Sequence, residues 1–314
     1  MYTILRKELA DHFSSTRFLI LYCLVLCVAL LTTYMVSMNL RSEIAGGARI
    51  EHLFLMLFTT SGQFFSLTQF IAFFGPLIGI IMGFDAINKE RSSGTLSKVL
   101  SQPVYRDAII NGKFWAGLIT ITIMFTSLIV LISGLGMSVI GVVPSVEELA
   151  RLLCYLLISI VYVGFWLGMA ILCSILFRSL GTAALASIAL WIFVSFFVGF
   201  GSALLADAIV PVERGDPQAA VKNARLAENI SRVSPVNLYS QATKTIMDPY
   251  RKTTKDVVLI GQLESISMSR FDHALPLGQS VLVVAPYLTT LLSLTAVCFG
   301  ASYVIFMRQE IRSM

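Results

Sequence analysis

The chain has 314 residues, of which 56% are hydrophobic and 13% are charged, and its formal net charge is +5. A soluble globular domain carries about 25% charged residues, and a mean hydropathy of +0.82 is too high for such a domain. The composition therefore excludes an ordinary soluble domain and predicts a protein that lies in the lipid bilayer, with no nucleic-acid partner.

Residues 1–16 predict an amphipathic helix that lies along the membrane surface before the first span. Its apolar side is formed by residues at helical spacing: Tyr2, Leu5, Leu9 and Phe13. The residues off this side are charged: Arg6, Lys7, Glu8 and Asp11. An alternative is that the segment simply extends the first span, but Ser14 and Ser15 favour a break between the two pieces.

Uncharged stretches follow, each longer than the ~20 residues that a helix needs to cross ~30 Å of hydrocarbon. They lie between Arg17 and Arg41, Glu51 and Asp85, Lys113 and Glu147, Arg151 and Arg178, Arg178 and Asp207, and Asp272 and Arg308. We therefore predict an all-α membrane protein with six transmembrane helices in a single domain over residues 1–314. The second stretch has room for an extra interfacial piece, and Gly134, Gly136 and Gly141 favour a re-entrant turn in the third.

Lys and Arg residues in the short loops predict the orientation, because such residues are concentrated on the cytoplasmic side. The side of the N-terminus carries most of them: Arg6, Lys7, Arg17, Lys89, Arg91, Lys98, Arg106, Lys113, Arg178, Arg308 and Arg312. The other side carries Arg41, Arg49 and Arg151 in its short loops. Both termini are therefore predicted to lie in the cytoplasm of a prokaryotic cell, whose plasma or inner membrane the chain spans.

A motif of small residues stands out in the second stretch. Gly75, Gly79 and Gly83 recur four residues apart, and Pro76 interrupts the same run. Small residues at this spacing let helix backbones approach closely, and proline kinks a helix. The motif therefore indicates either packing within the chain or a helix face that borders a moving seam or a translocation path.

The predicted spans hold no charged residue, and the chain has no phosphate-binding loop, no metal motif and no paired catalytic groups. Ionisable groups inside the membrane mark ion and proton pathways. Their absence argues against an ion-coupled transporter, and the missing motifs argue against an enzyme, including a lipid-modifying one or an intramembrane hydrolase.

Residues 85–113 are predicted to form a cytoplasmic segment between the second and third spans. Residues from Asp85 to Arg91 extend the second span as a helix, and Gly94 breaks it. A short amphipathic helix then presents Leu96, Val99 and Leu100 on one face and ends near Pro103. So short a helix is unstable in water by itself. It must pack either on loops of its own chain or on a cytosolic partner.

This segment resembles the pattern E-x-x-x-G-T-L-x-x-L-L-x-x-P-V-x-R of type-2 ATP-binding-cassette permeases. The matching positions are Glu90, Gly94, Thr95, Leu96, Val99, Leu100, Pro103, Val104 and Arg106. Val99 stands where the family usually has Leu. The stretch from Ser234 to Pro249 resembles one branch of the family, which includes the membrane subunit of the copper-enzyme maturation transporter.

The resemblance implies a permease subunit of an ATP-driven exporter, with ATP and Mg²⁺ bound by two copies of a separate ATPase subunit and not by this chain. Two permeases, identical or related, would pair in the membrane. The short helix would be the coupling helix, and the contact with the ATPase would comprise Glu90, Arg91, Gly94, Thr95, Leu96, Val99, Leu100, Pro103 and Arg106. Spans one, two and five would lie near the dimer seam.

Residues 207–280 are predicted to form a large helical extracytoplasmic loop between spans five and six. Helices are expected over Ala220–Ile230, after the Ser234–Pro235 pair and over Asp256–Arg270. The loop is interpreted as a stable cap or as a gate or docking surface. An alternative function follows from the latter: a membrane sensor or scaffold whose outer loop binds a ligand and which signals through the inner helix.

Overall fold

The computed structural model of the chain describes residues 1–45, 52–60, 66–94, 105–211, 217–250 and 274–309. The helices that make up most of the six apolar segments are α2 (Thr16–Ala45), α4 (Leu67–Gly83), α6 (Arg106–Ile140), α7 (Val146–Leu176), α8 (Leu180–Ile192) and α12 (Leu277–Arg308). The shorter helices are α1 (Tyr2–Ser14), α3 (Leu53–Thr59), α5 (Asn88–Ser92), α9 (Val198–Ile209), α10 (Pro217–Ser231) and α11 (Pro235–Met247). Six segments in these ranges are long and apolar enough to cross a membrane, which confirms the predicted spans.

Helix α1 is separate from the first span, as Ser14 and Ser15 predict, because Ser15 adopts an extended conformation between α1 and α2. Tyr2 and Phe13 of the predicted apolar side are 76% and 44% exposed in the single chain, whereas Glu8 of the charged side is buried. The position of the apolar side on the membrane surface stays a prediction. Helix α1 packs against α6. The side of α1 that faces α6 is determined by the ion pair of Glu8 with Lys113 and not by the apolar residues alone.

The second stretch contains both a short helix and a span. Helix α3 is buried, and α4 begins at Ser66, whose hydroxyl accepts a hydrogen bond from the Gln69 backbone N–H while the Gln69 side chain caps Ser66 in return. The third stretch differs from the prediction. Helix α6 is continuous through Gly134 and Gly136 and ends only at Gly141, whose φ of 78° closes it, so the expected re-entrant turn is wrong.

Helix α7 is the centre of the bundle and packs against α4, α6, α11 and α12. Ser145 and Glu148 cap its first turn reciprocally, as Ser66 and Gln69 do for α4. Trp166, Tyr155 and Tyr162 on α7 are fully buried. The other helices are therefore positioned by the contacts that they make with α7.

The fifth span changes its helical geometry partway along. After α8 the chain makes a π-helical turn over Phe193–Phe197 and continues as α9. This span is among the least buried, with large apolar side chains such as Phe197 and Leu204 exposed for lipid or another chain to cover. A π turn rotates the side chains that follow it and is frequent at functional sites.

The described part of the predicted outer loop is helical. Helix α10 covers the predicted Ala220–Ile230 helix, and α11 begins at Pro235 directly after Ser234, as predicted. The predicted helix over Asp256–Arg270 lies outside the described residues. We call the end of the bundle that carries α1, α5 and the first turn of α6 the proximal end, and the opposite end, with α3, α10 and α11, the distal end.

Candidate functional site

The proximal end of α4 leads into the segment that the sequence singles out. The backbone N–H groups of Ile87 and Asn88 donate to the Ser174 hydroxyl of α7, over 3.0 and 3.1 Å. Helix α5 follows, and Gly94 adopts a left-handed conformation with φ +67°. Glycine takes this conformation without strain, whereas other residues pay about 1–2 kcal/mol. The helix is therefore fixed to α7 and ends at a residue suited to a sharp change of direction.

A buried ion cluster joins α1, α5 and α6 at this point. The Lys113 ammonium lies 2.9 Å from Glu8 Oε1 and 3.0 Å from Glu90 Oε1, and its side chain is only 6% exposed. Lys7, at the exposed edge, lies 3.5 Å from Glu90 Oε1. A buried charge is tolerated only when it is paired, and removing one partner costs about 3–5 kcal/mol. The cluster therefore couples the positions of three helices.

The surroundings of Glu8 and His12 at this cluster determine the protonation states of these two residues of α1. Burial, the largest influence, would raise the pKa of the Glu8 carboxyl, but the nearby cations, Lys113 foremost and then Lys7, together hold that pKa below its ordinary value. One turn further, burial lowers the pKa of His12, with Glu8 and Asp85 partly offsetting the effect. Glu8 is therefore an anion, and His12 favours its neutral form, at neutral pH.

Two arginines close to the stretch 95–104, one on each side of it, are tied to the same place. Arg91, before it, donates to the Gln309 side-chain oxygen over 2.8 Å. Arg106, after it, donates to the Gln309 backbone carbonyl over 3.0 Å. Asp85 also pairs with Arg17 of α2 over 3.1 Å. Both ends of this stretch are therefore held against the end of α12.

The residues of the predicted ATPase contact fall into two groups. One group lies at the proximal end, on either side of the stretch 95–104: Glu90, Arg91 and Gly94 before it, and Arg106 after it. The remaining ones lie outside the described residues: Thr95, Leu96, Val99, Leu100 and Pro103. Sequence reasoning missed Glu8, Lys113 and Gln309. The sequence pattern puts Glu8 with the charged residues off the apolar side of α1, and it shows Lys113 as the boundary of a stretch and as one of the cations on the predicted cytoplasmic side.

The glycine motif packs α4 directly on α7. A Cβ on Gly79 would lie 2.7 Å from the Val163 carbonyl oxygen and 2.8 Å from the Leu167 backbone nitrogen. A Cβ on Gly83 would lie 2.8 Å from the Leu167 carbonyl oxygen, and Gly75 faces Val163. These distances leave no room for a methyl group. A translocation path along this face, the other interpretation of the motif, stays a prediction and would require α4 and α7 to separate.

Pro76 leaves a carbonyl without its helical partner, and α7 supplies a replacement. In a regular helix the N–H of residue 76 would bind the Ala72 carbonyl, but proline has no N–H. The Tyr162 hydroxyl donates to that carbonyl over 2.7 Å. The same Tyr162 ring stacks on Tyr239 of α11, with centroids 4.2 Å apart. The Pro76 turn of α4 is therefore connected through α7 to the distal helices.

A second buried cation fixes the distal end. Arg151 of α7 is fully buried and donates to the Ile246 carbonyl over 2.8 Å, to the Leu275 carbonyl and to the Ser280 hydroxyl. Its charge is balanced by Glu147, 2.9 Å away. These bonds join the end of α11 to the start of α12, so the helices that close the distal end are held to the same central helix.

Comparison with known proteins agrees with this architecture. The family model described as ABC-2 family transporter protein matches residues 2–311. A curated protein of Pseudomonas aeruginosa, described as probable ABC transporter permease protein NosY, is 27% identical over 186 residues. The aligned region makes up 55% of this chain and 60% of that protein, so the match spans less than two thirds of the relative's length.

Proposed function

Because the chain belongs to the ABC-2 family of transporter proteins, we propose that it is the permease of an ATP-driven exporter and takes its energy from a separate ATPase subunit. ATP and Mg²⁺ are bound by that subunit, and this chain contributes no nucleotide site. The stretch 95–104 with its flanking residues is the contact through which the ATPase acts.

One observation carries the proposal: Glu90 and Arg91 on one flank of this stretch, and Arg106 on the other, are all bound to helices of the bundle. Glu90 pairs with Lys113 of α6, and both arginines donate to Gln309. A displacement of the stretch is therefore passed to α4, α6 and α12 together. Left-handed Gly94 supplies the turn at which the stretch leaves α5.

The displacement reaches the distal end through α4 and α7. These helices move as one body because Gly79 and Gly83 leave no gap between their backbones. Tyr162 then passes the movement to Tyr239 of α11. Closure of two ATPase subunits on ATP is in this way converted into a rearrangement of the distal helices.

The proposal includes an orientation and an assembly. The proximal end faces the cytoplasm, in support of which the short loops on that side carry most of the Lys and Arg residues. The permease is a dimer, of identical or related chains, that rests on two ATPase subunits in the plasma or inner membrane. Helices α2 and α8 are candidates for the dimer seam because much of their apolar surface is exposed in the single chain.

The test substitutes two glycines that share one conformation. Gly94 and Gly141 both have positive φ, 67° and 78°, and a Cβ at either position would meet nothing within 4 Å. Alanine therefore costs about 1–2 kcal/mol at each site, through the backbone alone. We expect Gly94→Ala to lower the stimulation of ATPase rate by the permease about tenfold, in a complex reconstituted in liposomes.

Gly141→Ala, at the distal end, is the matched control and should leave the stimulation unchanged. Both variants should insert in the membrane and co-purify with the ATPase. Equal effects of the two substitutions would mean that Gly94 acts only through general stability. A chain that binds no ATPase, while a ligand changes its proximal end, would favour the sensor instead.

A further inference from the structure

A cavity at the distal end lies apart from the proposed ATPase contact at the proximal end. Its volume is about 580 Å³, within the range of roughly 300–1,000 Å³ that is typical of small-molecule sites. Helix α10 packs on α9, whereas α11 packs on α7, α12 and the π turn. Helices α10 and α11 therefore pack on different neighbours, and the cavity lies between these two helices.

The lining of this cavity combines hydroxyl and amide groups with the apolar side chains of Ala224, Ala227 and Val236. Hydroxyls come from four elements, through Ser195 of the π turn, Ser202 of α9, Ser231 of α10 and Ser240 of α11. Amides come from Asn237 and Gln241 of α11. Small-molecule sites are usually lined mainly by apolar and aromatic side chains, but the described lining contains no aromatic residue. The cavity therefore suits a ligand that is recognised by hydrogen bonds.

Ser195 gives independent support for a ligand. Its hydroxyl oxygen is buried and has no hydrogen-bond partner among the described residues. A buried hydroxyl without a partner costs about 1–3 kcal/mol. It lies in the π turn, which is the kind of local irregularity found where a helix serves a site. A rotation of the Ser195 side chain towards the cavity would let a ligand supply the missing partner.

The cavity carries one charge of each sign. The Glu228 carboxylate is held in place by Arg232, 3.2 Å away, and by the Tyr287 hydroxyl, 3.5 Å away, both of which bind its Oε1 atom. Lys244 contributes an ammonium from the last turn of α11 and makes no ion pair with any described residue. A ligand with a cationic donor and an anionic acceptor matches this pair.

We propose that the cavity binds a small zwitterion that carries a primary ammonium and an anionic group. Glu228 accepts from the ammonium, Lys244 binds the anion, and Ser195, Ser240 and Gln241 bind the remaining polar atoms. This chemistry is shared by a phosphoethanolamine lipid head group and by a free amino acid. The site is formed by this chain alone, so it is independent of the ATPase and of the coupling proposal.

The experiment uses the full chain, purified and placed in nanodiscs of phosphatidylcholine. Soluble O-phosphoethanolamine, alanine and phosphocholine are titrated separately by calorimetry. Phosphatidylethanolamine retention is counted by native mass spectrometry after exchange into nanodiscs that contain this lipid. Phosphocholine serves as the comparison because its quaternary ammonium has no N–H to donate to Glu228. We expect phosphoethanolamine or alanine to bind at least tenfold more tightly than phosphocholine.

Two variants and one control locate the binding. Ser240→Trp fills the cavity and Lys244→Ala removes the anion partner, and each should weaken binding at least tenfold. Lys222→Ala is the control, since Lys222 is exposed on α10 and does not line the cavity. Circular dichroism checks that each variant is folded, and if Ser240→Trp misfolds, Lys244→Ala, at an exposed position, carries the test alone.

The outcomes of the experiment distinguish a lipid head group from a free amino acid as the ligand. Retention of phosphatidylethanolamine with no binding of alanine assigns the site to a lipid head group, and the reverse result assigns it to a free amino acid. Either supports the proposal. Absence of binding by every probe, or binding that Ser240→Trp and Lys244→Ala leave unchanged, overturns it. ATPase stimulation is not measured here, so neither result bears on the coupling proposal.

Discussion

At the scale of single residues, the Ala72 carbonyl explains how α4 accommodates a proline in its middle. The sequence predicts a kink at Pro76, because this residue cannot donate to that carbonyl. It does not predict Tyr162, 86 positions further along the chain, as the replacement donor. Such a pairing depends on how two helices pack, which no local pattern in the sequence records. The same is true of Lys113, whose partners Glu8 and Glu90 come from two other helices.

A double-mutant cycle tests the bond between Tyr162 and Ala72. Tyr162→Phe alone should lower the free energy of unfolding by about 1–3 kcal/mol, because it leaves a buried carbonyl without a donor. Pro76→Ala restores the N–H of residue 76, and in that background Tyr162→Phe should cost much less. The interaction free energy should exceed ~0.5 kcal/mol in denaturant titrations in detergent micelles. Additive effects of the two substitutions would contradict the assignment.

At the scale of elements, helix α1 illustrates what amphipathic periodicity can and cannot predict. The pattern of Tyr2, Leu5, Leu9 and Phe13 predicts a helix, and Ser15 ends it as expected. The pattern does not predict which side packs, because an apolar stripe next to a bilayer can face either protein or lipid. The buried pair of Glu8 and Lys113 decides the side in favour of α6. In the same way, Gly134 and Gly136 do not interrupt α6, because the flanking residues continue the helix up to Gly141.

Removal of the Lys113 charge should loosen α1 and α5 from α6. Lys113→Met leaves the carboxylates of Glu8 and Glu90 without this cation, at a cost of about 3–5 kcal/mol in the free energy of unfolding at pH 7. The control is Lys89→Met, because Lys89 is an exposed lysine at the same end, and it should change this free energy by at most ~0.5 kcal/mol. Equal costs for the two variants would show that the cluster has no special role.

The loss of stability that Lys113→Met causes should change with pH in one direction only. In the wild type the pKa of Glu8 is lower in the folded protein than the ordinary 4.5. Its contribution to stability is therefore complete above pH 4.5 and is lost as the pH falls through the folded pKa. The difference in apparent Tm between wild type and Lys113→Met should accordingly be largest near neutral pH and shrink in acid. A difference that is independent of pH down to pH ~3 would contradict the assigned charge pair.

At the scale of the whole molecule, the number of spans and the place of the loops follow from composition and charge. A helix must be long and apolar to cross the bilayer, so uncharged stretches mark the six spans directly. Composition and charge do not predict three other features: the arrangement of the spans around α7, the distal cavity, and the bonds of Arg91 and Arg106 to Gln309. They arise from contacts between residues far apart in the chain. The coupling segment was found through its resemblance to a family pattern, since its own local features fit several functions.

The central claim is that a separate ATPase drives this permease through the stretch 95–104. The most direct measurement places a photo-crosslinking amino acid at Ser97, within that stretch, and irradiates living cells before the chain is purified. The control position is Ser138, which is exposed near the distal end of α6. The account predicts a crosslinked product between Ser97 and an ATP-binding-cassette ATPase, and no such product from Ser138. Capture of the ATPase from Ser138 but not from Ser97 would place the contact at the wrong end of the bundle and contradict the claim.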